Sequence, residues 1–153
     1  MRQESRSSEH WQLGIEQYLA RRAAANSKPV SGLESPKAHN AFLVDLGDRE
    51  SEAFLLILFI NAAREGPNAD KMISAWRHGD AETLHRIVHN SFQDFPSLGR
   101  RLIDVRNRNW LPTIDGYLRS GHTYFVVVGG GNMGGPNGLL PLLKARGCKI
   151  EQL

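Results

Sequence analysis

The stretch HTYFVVVGGGNMGGPNGLLPLLKARGCKIEQL occupies residues 122–153. Its order of apolar run, glycine cluster, helix former and second apolar run leaves few folds open. Four consecutive β-formers follow Tyr124, which predicts a strand over TYFVVVGG. NGLLPLLKARG reads as a helix and CKIEQL as a last strand. Two strands joined by a helix make a parallel βαβ unit with a right-handed crossover.

Upstream of this unit the chain reads as mostly helical. The first dozen residues, MRQESRSSEHWQ, are polar and are expected to be loose, so one domain is expected over residues 13–153. LGIEQYLARRAAA carries Leu13, Tyr18, Leu19 and Ala23 at helical spacing. KPVSGLE reads as a short strand that opens at Pro29. A helix is expected over SPKAHNAFLVDLG, with Ser35 as N-cap, Pro36 at its first position and Gly47 closing it. DRESEAFLLILFINAARE reads as a helix capped by Asp48 and ended by Gly66-Pro67. Its run Phe54 to Ile60 is apolar nearly all round, so burial or an interface is expected there. Shorter helices follow around ADKMISAWRHG and AETLHRIVHNSF. Pro96 then breaks the pattern. SLGRRLIDVRNRNWLPTIDGYLRSG resumes it as one helix or two, with a kink at Pro112. The expected class is α/β, mostly helical, with a small and mainly parallel sheet.

Composition excludes several functions. The chain has 153 residues, enough for one domain with a real core. Its formal charge is +3, and Arg21-Arg22, Arg100-Arg101 and Arg106/Arg108 are scattered and do not form a stripe. A nucleic-acid binder concentrates its charge and interleaves aromatics, so nucleic acid is not expected as a partner. A single cysteine, Cys148, permits neither an internal disulfide nor a thiolate metal cluster. No apolar run reaches the roughly 18 residues a membrane span needs. The N-terminus lacks the apolar core of a signal peptide, so taken alone the chain reads as cytoplasmic.

Gly129, Gly131 and Gly134 spell G-x-G-x-x-G, and the loop over residues 129–135 reads in more than one way. One reading is nucleotide binding: a strand precedes it, a helix follows it, and Glu151 lies about 20 residues on, where an acidic residue would meet a ribose hydroxyl. Against this, the chain ends soon after Glu151 and its upstream part is too helical to supply a second mononucleotide half. Pro136 also implies a helix that starts only after Gly135. A second reading is structural, with glycines providing a sharp turn from strand to helix.

A third reading comes from resemblance. FVVVGGGNMGGPNGLLPLLKARGCKIEQL resembles the end of TraB/GumN family proteins, which are related to the Tiki metalloproteases. There a strand runs into V-G-x-x-H-L-x-G-x-x-G, then a helix, then RGY and a final strand. GIEQYLARRAAANSKPVSGLES is similar to the family's G-[ID]-x-Y-L and KPV-x-GLE-T. AWRHGD resembles W-x-x-GD, and RNRNWLPTI resembles RN-x-x-W-x-x-x-I. These matches fall in order from about residue 13. The resemblance implies a metal-dependent hydrolase in which two GxxH motifs and acidic residues hold a divalent ion. The first motif belongs to an N-terminal half that this chain does not contain, since family proteins run to nearly twice its length and are often exported. Export is therefore implied if the chain is a piece of such a protein.

The motif loop maps onto Gly129, Gly131, Asn132, Gly135 and Gly138. The family histidine is replaced by Asn132, so GxxH reads GxxN. Imidazole binds zinc-like ions strongly, whereas an amide oxygen is a weaker and harder ligand. Glu34 matches the family's acidic position, as metal ligand or general base, or else as a carboxylate placed near a helix N-terminus. Arg106 and Asn107 match the RN pair, as an anion anchor or as a structural bridge. The weak metal set is thus Glu34 and Asn132, and no cofactor is expected in this chain. His85 and His89, at i and i+4, could bind zinc. HRIVH lacks the accompanying Glu, however, and reads as a helix face, while His39 and His122 are isolated. The expected protein is a catalytically incomplete relative that serves as a binding or assembly module. Alternatives are a hydrolase acting on a peptide or protein and completed by a partner chain, or a nucleotide binder. The run AFLLILFINAA further predicts a homodimer with Phe54 to Ile60 in the contact.

Overall fold

A computed structural model describes residues 14–63 and 65–153. The expected loose segment, residues 1–12, lies outside them. Contacts divide the chain into Met1–Gly32 and Leu33–Leu153. The first unit contains helix α1, Ile15–Ala25, whose last turn is closed by Asn26, with Nδ2 donating to the Arg22 carbonyl at 2.7 Å.

The second unit is built from helices. These are α2 (Pro36–Val44), α3 (Asp48–Ala63), α4 (Glu65–Arg77), α5 (Ala81–Asn90), α6 (Pro96–Gly99), a π-helical stretch Arg100–Val105, α7 (Arg106–Arg119), a 3₁₀ turn Gly130–Asn132 and α8 (Leu139–Lys144). Ser35 caps α2 as expected, its Oγ accepting from Ala38 N at 3.1 Å, with Pro36 at the first position. That helix stops before Gly47, at Val44, where the Arg101 guanidinium takes the Ala41 and Asp45 carbonyls. Asp48 sits inside the first turn of α3 and does not act as a cap from outside. Gly66-Pro67 does not end a helix. Both residues fall in the first turn of α4, where proline's missing N–H costs nothing. Pro96 likewise opens α6, and Pro112 lies within α7.

The expected sheet is absent. Among the described residues there is no strand, and so no parallel sheet and no βαβ unit. The runs expected as strands, near residues 28–34, 123–129 and 148–153, form neither helix nor strand, and none has a ladder partner among the described residues. β-propensity supplies a suitable backbone conformation. A strand also requires a second backbone at hydrogen-bonding distance.

Two clusters form the core. Ala53, Ile57 and Leu98 join α3 to α6, with Phe92, Phe95 and Leu102 packed around them. Trp110, Leu111 and Ile114 of α7 meet Leu139 of α8, with Leu33, Val128, Met133, Leu142 and Leu143 at the margin. The π-helical stretch lies between the two clusters, and its wider turn resets the helix register just before Arg106.

Candidate functional site

Helix α7 presents Arg106 and Trp110 one turn apart, and both reach Glu34 at the start of α2. The Arg106 guanidinium donates to Glu34 through two nitrogens: Nη2 lies 2.6 Å from Oε1 and Nε 3.3 Å from Oε2. Trp110 Nε1 donates to Oε2 at 3.0 Å. His39 Nδ1 lies 2.7 Å from Oε1, the distance of an N–H···O bond when that nitrogen carries the proton. Arg106 also sits over the Trp110 ring, 4.9 Å from its centroid, with Phe42 5.7 Å away on α2. The carboxylate is largely enclosed. Burial pushes its pKa up, but the hydrogen bonds from Arg106, His39 and Trp110 and the charge of Arg106 outweigh this and hold it below its ordinary value of 4.5.

Asn107, beside Arg106, points into the glycine loop and is 1% exposed. Its Nδ2 donates to the Asn132 carbonyl at 3.2 Å and to the Asn137 carbonyl at 2.8 Å. Asn137 donates in turn to buried Asp104, and Arg108 donates to Asn137 Oδ1. This clasp fixes the loop on α7. Two buried oxygens, Asn107 Oδ1 and Asn132 Oδ1, have no hydrogen-bond partner.

The glycines are explained by the opposite wall, α5. A Cβ on Gly134 would overlap the Ala81 carbonyl, because the loop lies directly on the N-terminus of α5. Gly135 has φ +76° and rests against the His85 ring, while its N–H donates to Glu82 at 2.9 Å. Side chains at Gly130 and Gly131 would press on Leu84 and Val88. The loop needs glycine for its seat on the protein, whether or not any phosphate binds. Beside it lies an apolar cleft of about 440 Å³, walled by Met72, Ile73, Trp76, Leu84 and Val88. Glu34 does not line it.

The sequence matches the family model of the TraB/PrgY/gumN family over residues 1–152. The chain belongs to this family. No match was found among curated proteins or solved structures.

The divalent ion implied by the family resemblance does not fit these residues. Both Glu34 oxygens accept from donors, one of them a guanidinium at 2.6 Å that would repel a dication. Asn132 Oδ1 is shut away from solvent. Among the described residues no three His, Cys, Asp or Glu side chains come together as a metal could hold them. The RN pair splits its work: Arg106 binds the carboxylate and Asn107 the loop. The sequence reading took His39 as isolated, which its 2.7 Å approach to Glu34 corrects, and quoted Trp110 only as a motif letter. The i, i+4 spacing of Arg106 and Trp110 was the available signal for their joint grip on Glu34.

Proposed function

We propose that this TraB/PrgY/gumN chain is a catalytically incomplete member that works by association, as an assembly module without a resident metal. The observation that carries the reading is the outer face of α3. Ala53 and Ile57 are buried on one side of that helix, while on the other Leu55 and Leu58 are about half exposed and Phe59 is 74% exposed. No charged residue occurs from Ala53 to Ala63. Soluble monomers seldom leave such a contiguous apolar surface to water. A neutral face of this kind fits a second copy of itself, because a two-fold contact sets the same patch against itself with no like charges opposed. The closed constellation around Glu34 supports the same reading, since a general base or metal ligand needs a free oxygen.

Light scattering during size-exclusion chromatography tests this. The expected mass at micromolar concentration is at least two chains, lowered by Leu55→Asp or Phe59→Asp while the helical circular dichroism is retained. A wild-type monomer would overturn the proposal.

A further inference from the structure

Gly138 closes the glycine loop, and only glycine fits there. A Cβ at this position would overlap the Met133 and Gly134 carbonyls. Asn137, the residue before it, answers to a separate demand. Its Nδ2 donates to Asp104 Oδ2 at 3.0 Å, and its Oδ1 accepts from Arg108 Nη2 at 2.8 Å. Its main-chain carbonyl accepts from Asn107 Nδ2 at 2.8 Å. Two independent constraints thus set a glycine directly after an asparagine. No other asparagine in the sequence precedes a glycine. An Asn–Gly step is chemically weak, because a following residue without a Cβ lets its amide nitrogen reach the asparagine Cγ with little hindrance. That nitrogen bonds to Cγ and gives up its proton, and the carboxamide nitrogen leaves as ammonia. One water then opens the resulting five-membered imide, at either carbonyl, to aspartate or isoaspartate.

The fold opposes this step at the atoms that carry it. The Gly138 N–H is committed to the Gly135 carbonyl at 3.0 Å. Both ends of the Asn137 carboxamide are tied, to Asp104 and to Arg108, so the side chain cannot turn onto Gly138 N without breaking two hydrogen bonds. We propose that Asn137 is a deamidation site held off by the closed loop, and that its conversion to a carboxylate releases the loop from α7. Release follows from Asp104, which is 6% exposed and takes a hydrogen bond from Asn137 Nδ2. An ionised aspartate at residue 137 has no donor to give, and it sets a second negative charge at hydrogen-bonding distance from the first. Arg108 can still pair with the new carboxylate. Asp104 is left enclosed and facing a like charge, which costs more than the lost hydrogen bond alone. Isoaspartate adds a methylene to the main chain and draws the residue 137 carbonyl off Asn107 as well. The change is one-way, because ammonia is lost. Since the reaction runs from the opened loop, its rate reports how often the loop leaves α7.

Peptide mapping by mass spectrometry reads the protection. Wild type incubated at neutral pH is expected to gain aspartate and isoaspartate at residue 137 at least about tenfold more slowly when folded than in urea. Equal rates in the two states, or an Asn137 that stays intact in urea as well, overturn the proposal. Thermal melting reads the release. Asn137→Asp is expected to melt about 2–4 °C or more below wild type at neutral pH. Adding Asp104→Asn is expected to recover most of that loss, because an amide then faces a carboxylate again. An Asn137→Asp chain that melts with wild type, or a double variant no more stable than the single one, refutes the release. If Asn137→Asp alone does not fold, recovery of folding by Asp104→Asn supports the proposal and its absence refutes it.

Discussion

Glu34 is a carboxylate whose two oxygens are both engaged by its neighbours. Its oxygens hold three donors, and the strongest is a guanidinium that also lies over the Trp110 and Phe42 rings. Loss of the carboxylate leaves a partly enclosed Arg106 without its counter-charge, so Glu34→Gln should cost about 2–3 kcal/mol near neutral pH. The pH dependence follows from the lowered pKa. A carboxyl whose folded pKa lies below its unfolded value stabilises the fold above that unfolded value, and the contribution fades as pH falls through the folded pKa. Wild type should therefore lose melting temperature below about pH 4.5 more steeply than Glu34→Gln, and the two curves should converge in acid. Parallel curves in a melting series from pH 7 to 3 would show that Glu34 is not the titrating group.

At the scale of elements, local signals that need no distant partner were legible. Ser35-Pro36 placed the start of α2, whereas the Asp80 cap of α5, its side chain accepting from Thr83 N at 2.9 Å, was not read from the sequence. The strands could not be secured in this way. TYFVVV and CKIEQL contain the right residues, but pairing depends on what lies beside them. The structural reading of the glycine loop expected a sharp turn from strand to helix, but the strand is absent, only Gly135 of the loop has positive φ, and Gly130, Gly131 and Gly134 answer instead to the close seat on α5. No sequence period reveals that Ala81 will lie against Gly134. Gly134→Ala should cost about 1–3 kcal/mol through the overlap with the Ala81 carbonyl, since backbone there cannot step aside cheaply. Gly47→Ala, at a glycine that like Gly134 has no positive φ but has nothing within 4 Å of its Cβ position, is the control for the loss of glycine alone. Equal losses for the two variants in chemical denaturation would mean that the seat on α5 contributes nothing beyond conformation.

For the whole molecule, the question is where the apolar surface goes. No helix among the described residues is long and apolar enough to cross a membrane. Sequence reading found the α3 run but expected burial or an interface for its entire circumference. Folding divides it, with Ala53 and Ile57 packed inward and Leu58 and Phe59 turned out. If those outward residues are covered in the associated state, association and folding share free energy, and stability depends on protein concentration. A tenfold rise in concentration adds about 1.4 kcal/mol to a dimer, or half that per chain. For a chain of this size that is about 2 °C in melting temperature. A hundredfold series by scanning calorimetry should therefore move wild type by about 4 °C, while Phe59→Asp should melt at one temperature throughout. A wild-type melting point that does not move over that range would mean that the native chain keeps these residues in water, and the assembly reading would fail with it.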